Sequence, residues 1–254
     1  MGEGASTKNS NKQGYSCSVI IPCYNEAENI QKAVERVPKI GEFTEIVVVD
    51  DGSTDGTADV VNKLMENHEN LKLISYSPNR GKGPAVKAGF DAASGDVLMI
   101  LDADMTVQPE ELGRFFAPIA EGRADFVNGT RFGSSMESQA MKRLNWYGNK
   151  AFALLFSWLL GQKVTDTLCG TKALLKKNYQ NIEMKHCRWG DFDLLIGAAK
   201  LELRVLEVPV DYKKRLAGES HMRPLKHGLL FFRTFLRGVK QVKFNRIEAN
   251  GRRG

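Results

Sequence analysis

The chain has 254 residues, of which 42% are apolar and 26% charged, the balance of an ordinary folded protein with enough chain for a large single core. No stretch reaches the roughly 18–20 consecutive apolar residues that a bilayer span needs, and the most apolar run, 151–160 (AFALLFSWLL), is too short. The net charge of +6 is unevenly spread: residues 213–254 hold twelve Lys or Arg against Glu219 and Glu248, a local net of +10, which leaves the body at −4. Phe and Leu are interleaved with that charge, which points to an anionic membrane surface and away from nucleic acid.

Residues 1–15 are rich in Gly, Ser, Asn and Lys and read as a disordered tail with no secretory signal. Cys17, Cys23, Cys169 and Cys187 form no Cys-x-x-Cys pair, so reduced thiols in a cytoplasmic protein are expected. A strand over 17–22 is followed by a helix over 26–37, and a buried strand over 45–50 by a helix over 55–67 with Asp55 as its N-cap. A strand over 71–76, a glycine-rich turn and a helix over 84–93 continue the alternation. Further on come a strand over 97–101, a helix after Pro109 and a strand over 125–129. Such alternation with continuous apolar strands implies an α/β fold, a mainly parallel sheet covered by helices on both faces. The second half reads as a helix over 141–160, a short strand over 171–175, a helix over 191–201 and a strand over 204–212 that Pro209 assigns to an edge.

The apolar run Val97–Leu101 ends in Asp102-Ala103-Asp104. Residues i and i+2 of a strand face the same side, so both carboxylates converge if the strand persists. Their repulsion calls for a cation, and hard oxygen ligands suit Mg²⁺ or Mn²⁺. A plain strand-to-turn exit is the alternative, since Asp favours turns. Three earlier strand ends are also polar: Pro22-Cys23-Tyr24-Asn25-Glu26, Asp50 to Gly56, and Asn79-Arg80-Gly81-Lys82-Gly83. The last lacks the spacing of a Walker phosphate loop. A purely structural sheet does not need four such ends in succession.

In this order the motifs resemble those of the family-2 glycosyltransferases with the GT-A nucleotide-sugar fold, over about residues 18–222. Within that family the chain is most similar to the polyprenyl-phosphate (dolichyl-phosphate) mannose and glucose synthases, through segments 129–132, 165–172 and 207–220. The resemblance implies a catalytic domain over 16–222, with Pro22, Tyr24 and Glu26 lining the base and ribose pocket and Asp51 beside them. It implies Lys82 as a further nucleotide-sugar contact, Asp102 and Asp104 as ligands of a divalent cation on the diphosphate, and Arg131 and Arg215 as phosphate contacts. Two positions depart from the family pattern: Thr106 stands where Gln is frequent, and His221 where Lys is frequent. Asp191 and Asp193 lie where relatives place an acceptor-side acid. They can equally be helix N-terminal acids favoured by the dipole.

The expected activity is an inverting, metal-dependent transfer of a hexose from a UDP- or GDP-linked sugar to a polyprenyl phosphate, by a peripheral protein on the cytosolic face of a membrane. Two alternatives are a lipid or glycan hydroxyl acceptor, and a non-catalytic nucleotide-sugar-binding subunit. Residues 223–246 form a basic amphipathic helix suited to a membrane interface, ahead of a flexible end over 247–254. Leu225, Leu229, Phe232, Leu236 and Val239 make its apolar stripe, and Lys226, Arg233, Arg237 and Lys240 another face. That helix could instead pack on the catalytic domain, or meet a membrane-anchoring subunit.

Overall fold

The computed structural model describes residues 14–132, 143–185, 190–213 and 224–251. Its elements are β1 (Cys17–Cys23), α1 (Ile30–Glu35), β2 (Thr44–Asp50), α2 (Thr57–Met65), β3 (Leu71–Ser75), α3 (Lys82–Ala92), β4 (Val97–Ile100), α4 (Leu112–Ala120), β5 (Phe126–Thr130), α5 (Arg143–Leu160), β6 (Lys172–Leu175), α6 (Lys176–Tyr179), α7 (Asp191–Lys200), β7 (Val205–Pro209) and α8 (Pro224–Gly251). One seven-stranded sheet runs in the order β3-β2-β1-β4-β6-β5-β7.

β1, β2 and β4 are buried along their whole length, as parallel strands covered on both faces must be. Successive residues serve opposite faces. Ile20, Val47, Val49, Leu98 and Ile100 join Val86, Phe90, Phe192 and Leu195 of α3 and α7 in one core layer. Val19, Ile21, Val48 and Met99 join Ile30, Val34, Val61 and Phe115 of α1, α2 and α4 in the other.

The chain moves from β1 through β2 to β3 and then returns to lay β4 on the opposite flank of β1. The crevice at the C-terminal ends of β1 and β4 is therefore the topological switch point, where open α/β sheets bind ligands. β6 runs antiparallel to both β4 and β5, while β5 and β7 pair in parallel at the far edge. The sheet is thus parallel except at β6, and Pro209 ends the edge strand, where its missing N–H breaks no ladder.

Several element starts differ from the sequence expectation. α1 begins at Ile30, four residues later than expected, because residues 25–27 bond to the loop after β2. α2 begins at Thr57 with Gly56 as N-cap. Asp55 accepts from the Thr57 N–H at 3.0 Å and reaches across to the Ala27 N–H, also at 3.0 Å. α3 begins at Lys82 rather than 84, which leaves Pro84 in the first turn, where its lack of an N–H costs nothing.

α8 continues to Gly251, beyond the expected end at 246. It packs on α5 and α7 through Phe231, Phe235 and Val242, and Phe231 and Phe235 join a cluster of edge-on and tilted rings with Phe152, Phe156 and Phe192. The stripe read from the sequence is a different face: Leu229, Phe232 and Leu236 are exposed, beside exposed Arg233, Arg237 and Lys240, while Val239 is partly buried. The side chains of Leu225 and Lys226 lie outside the described residues. No helix among the described residues is long and apolar enough to cross a membrane. Cys17, Cys23 and Cys169 are free and buried, and Cys187 lies outside the described residues.

Candidate active site

Pro22 is buried within β1, opposite Val49. The ladder to β4 closes with Leu101 N–H donating to Ile20 O at 3.0 Å, so the Pro22 ring faces the side where that ladder has ended. Tyr24 and Glu26 follow, each partly exposed at the strand end. This first loop is sewn to the loop after β2. The Asn25 N–H donates to Ser53 Oγ at 2.8 Å, the Thr54 N–H to Asn25 Oδ1 at 2.8 Å and the Glu26 N–H to Thr57 Oγ1 at 3.0 Å. Asn25 itself adopts φ +55°, a left-handed conformation that Asn tolerates better than most residues. Glu26 accepts from Asn29 Nδ2 at 2.7 Å.

Asp50 and Asp51 end β2, both buried. Asp50 accepts from the Ser53 N–H at 3.0 Å and from Ser75 Oγ at 3.1 Å. Asp51, expected beside the base and ribose, anchors the third loop: its two oxygens accept from the Arg80 and Gly81 N–H groups, each at 2.7 Å. Gly81 sits at φ +100°, which side-chain-bearing residues rarely adopt, and this turn delivers Lys82 as the first residue of α3.

Lys82 and the pair after β4 meet at the switch point. The Lys82 ammonium is ion-paired with Asp102. Burial opposes its charge, but the carboxylates of Asp102, Asp191 and Asp104 outweigh that and hold its pKa above the ordinary lysine value. Asp104 is oriented from behind: its Oδ1 accepts from Thr106 Oγ1 at 2.8 Å and from the Thr106 N–H at 3.1 Å. Thr106, at the position where Gln is frequent, thus fixes a carboxylate. Gly170 closes the other side. A Cβ there would overlap both the Asp102 carboxylate and the Lys82 ammonium.

α7 brings Asp191 to the same place. Gly190, its N-cap, abuts Gly83 of α3 so closely that a methyl group on Gly190 would lie only 3.0 Å from the Gly83 Cα, and two helix N-termini converge here. Asp191 is held from inside the protein by Lys172, whose fully buried ammonium lies 3.1 Å from Asp191 Oδ1 and also bonds to Cys169 O. Asp193 is buried in the same first turn. Asp191 is near enough for its charge to act on Lys82.

Arg131 makes a bidentate pair with Asp166, Nε to Oδ2 at 2.6 Å and Nη2 to Oδ1 at 2.8 Å, and its guanidinium lies 5.2 Å from the Tyr212 ring centroid. Burial alone would raise the Asp166 pKa, but the Arg131 guanidinium and the donors around it draw it down to about 2. Asn149 of α5 also donates to Asp166, at 2.6 Å, and accepts from the Thr167 N–H and Oγ1. Glu207 of β7 accepts from Thr165 and Asp166 N–H groups and from Asn128. The 165–171 loop is therefore fastened from two sides before it passes Asp102 at Gly170. Asp166, Glu207, Asn149 and Lys172 carry this scaffold, yet none had a role assigned from sequence. Arg215 and His221 lie outside the described residues.

Two carboxylates at a strand end, one pre-oriented by Thr106, supply hard oxygen donors of the kind Mg²⁺ and Mn²⁺ take alongside substrate phosphates. The glycine-floored space at Asp102 fits that use. Among the described residues no three His, Cys, Asp or Glu side chains group as a metal site, so substrate oxygens would have to complete the coordination.

The family model for glycosyl transferase family 2 matches residues 18–184, well over half of the chain. The chain belongs to that family. As a family-2 glycosyltransferase it is 33% identical over 211 residues to a dolichyl-phosphate hexose transferase of Haloferax volcanii, covering 83% of this chain and 88% of the relative. It is 28% identical over 225 residues to glycosyltransferase AglJ of the same organism, covering 87% and 71%. Glucosyl-3-phosphoglycerate synthase from Mycobacterium tuberculosis, solved with Mn²⁺, UDP and glucosyl-3-phosphoglycerate, superposes with TM-score 0.67 at 20% identity, covering 90% of this chain and 81% of that one. A further structure of that enzyme, with Mg²⁺ and UDP, gives TM-score 0.68. These neighbours share the GT-A fold, as the sequence motifs implied.

Proposed function

We propose that this glycosyltransferase moves a hexose, with inversion, from a UDP- or GDP-linked sugar to a polyprenyl phosphate of the dolichyl type, using Mg²⁺ or Mn²⁺. The observation that carries the reading is the Lys82–Asp102 ion pair at the switch point of the sheet, with Asp104 two residues further along and the N-terminus of α7 abutting that of α3. The name of the 33% identical relative supports the acceptor class. Asp102 and Asp104 would hold the cation, which neutralises charge on a departing diphosphate without proton transfer. Lys82 adds a second positive charge from the α3 N-terminus. A phosphate acceptor is already anionic at neutral pH and needs little general-base help. Arg131, braced by Asp166, and Arg215 are the proposed phosphate contacts, a task suited to a persistent, planar cation.

The proposed site of action is the cytosolic face of a membrane, through α8. Leu229, Phe232 and Leu236 are exposed beside Arg233, Arg237 and Lys240, and α5 exposes Tyr147, Leu154 and Trp158. Apolar and aromatic side chains interleaved with cations suit an anionic lipid interface, and a membrane-anchoring subunit could use the same face. The test is a panel of UDP- and GDP-hexoses with a short polyprenyl phosphate, with and without Mn²⁺, followed by NMR of the anomeric centre. A lipid-soluble product of opposite anomeric configuration is expected. A hydroxyl acceptor is the second reading, favoured by Asp191 standing where a base would. Glycosylation of a hydroxyl acceptor alone would replace the first reading with the second.

A further inference from the structure

Lys82 is placed against the usual electrostatics of a helix. A cation at a helix N-terminus is opposed by the dipole. Lys82 is the first residue of α3 nonetheless. What keeps it there is acidic: the ion pair with Asp102, with Asp104 two residues further along and Asp191 next to Gly190, whose added methyl would lie 3.0 Å from the Gly83 Cα. Gly170 removes the side chain that would otherwise fill the space occupied by this pair. The side chains of Lys82 and Asp102 remain 18% and 26% exposed, so the pair is open to exchange from outside. By contrast, Lys172 is fully buried and holds Asp191 from the inside. One of the two ammonium groups is built in, and the other faces the crevice.

We infer that Lys82 is an internal counter-ion for the Asp102–Asp104 pair, which gives up Asp102 to the divalent cation when the donor arrives and pairs instead with the donor's diphosphate. This rests on the reading of Asp102 and Asp104 as the metal pair. In the ligand-free protein the ammonium offsets the mutual repulsion of three carboxylates and occupies an oxygen that a metal would need. In the loaded protein the same ammonium finds an anion at a helix N-terminus, where both charge and dipole favour it. The exchange therefore gives Lys82 opposite effects on two ligands: it weakens binding of the metal alone and strengthens binding of metal with nucleotide.

The experiment titrates MnCl₂ into the full chain without nucleotide, by calorimetry and by the electron paramagnetic resonance signal of free Mn²⁺, for wild type, Lys82→Met, Lys82→Arg and Asp104→Asn. Removing a unit charge this close to the site should tighten Mn²⁺ binding by about tenfold in Lys82→Met. Lys82→Arg keeps the charge and should stay near wild type. Titration of UDP and GDP into the Mn²⁺-loaded proteins should show the reverse, with Lys82→Met weaker by about tenfold for whichever nucleotide wild type prefers. Thermal melts supply a readout independent of affinity: Lys82→Met should melt below wild type without metal and gain more from Mn²⁺. Mn²⁺ binding by wild type that is no tighter in Lys82→Met overturns the exchange while leaving the metal pair standing. Mn²⁺ binding that is unaffected by Asp104→Asn defeats the metal-pair reading and the exchange with it.

Discussion

Replacing Asp166 by asparagine keeps the size of the side chain and removes one charge and one acceptor. Asp166 Oδ1 accepts from Arg131 Nη2 at 2.8 Å, Asn149 Nδ2 at 2.6 Å and the N–H groups of Leu168 and Cys169 at 3.0 and 3.1 Å. Oδ2 accepts from Arg131 Nε at 2.6 Å and the Arg131 N–H at 3.1 Å. An asparagine would keep its oxygen at the more heavily used Oδ1 position and turn its NH₂ toward two Arg131 donors. The loss is then one charge-assisted bond, worth about 1.5–3 kcal/mol, and one orphaned backbone donor at about 1–3 kcal/mol. Leaving a buried partner charge uncompensated costs about 3–5 kcal/mol by direct measurement in other proteins, which agrees with that sum. We therefore expect Asp166→Asn to lose about 3–5 kcal/mol in urea unfolding at pH 7. The double variant Arg131→Met with Asp166→Leu should recover only part of this, because leucine, unlike asparagine, leaves the Leu168 and Cys169 N–H groups without an acceptor as well. A loss below about 1 kcal/mol in the single variant would refute the assignment of Asp166 as the anchor of this loop.

Acid should weaken the same anchor. The folded pKa of Asp166 is about 2, below the ordinary value, so its contribution is complete above pH of about 4 and disappears as pH falls toward 2. That contribution is worth about 2 kcal/mol and should appear as a steeper drop in wild-type stability below pH 4 than in Asp166→Asn. Gly170→Ala should keep its circular dichroism spectrum and lose about a hundredfold in transfer rate, since its methyl displaces Asp102 and Lys82; wild-type turnover would contradict the tight approach at that glycine. Asp191→Asn should lower turnover about 10²–10⁴-fold with a hydroxyl acceptor and far less with a polyprenyl phosphate. Serine at Leu229, Phe232 and Leu236 together should reduce co-sedimentation with phosphatidylglycerol vesicles at least about tenfold, while the melting temperature holds because those side chains are exposed. Unchanged sedimentation would remove α8 from the membrane contact.

The central strands were legible because their burial on both faces leaves an unbroken apolar run, as in Val97–Ile100. Strand direction was not: nothing in Lys172–Leu175 distinguishes an antiparallel strand from its parallel neighbours. The four polar strand ends also stood out, since carboxylates beside apolar runs have few structural reasons to be there. What they touch did not. Arg131 looked like a phosphate ligand, and its partner Asp166 is 35 residues away in sequence. Asn128 meets Glu207 across 79 residues. Such pairings depend on which loops the sheet brings together, and spacing carries no trace of them. In α8 periodicity found an apolar stripe, but the helix has two, and only the tertiary packing of Phe231 and Phe235 on Phe156 and Phe192 decides which is inside.

The cross-stitching of the first two loops has a consequence for exchanging segments with relatives. Asn25, Glu26 and Ala27 on one side and Ser53, Thr54, Asp55 and Thr57 on the other exchange four bonds between 2.8 and 3.0 Å. Each loop takes its shape from the other, so neither is an independent module. Grafting a relative's 24–29 segment alone would strand the donors and acceptors of 53–57, and the reverse graft would do the same. Under the proposed donor reading, specificity in this half of the crevice is inherited as a matched pair of segments, and recombination that cuts between them breaks the template rather than retuning it.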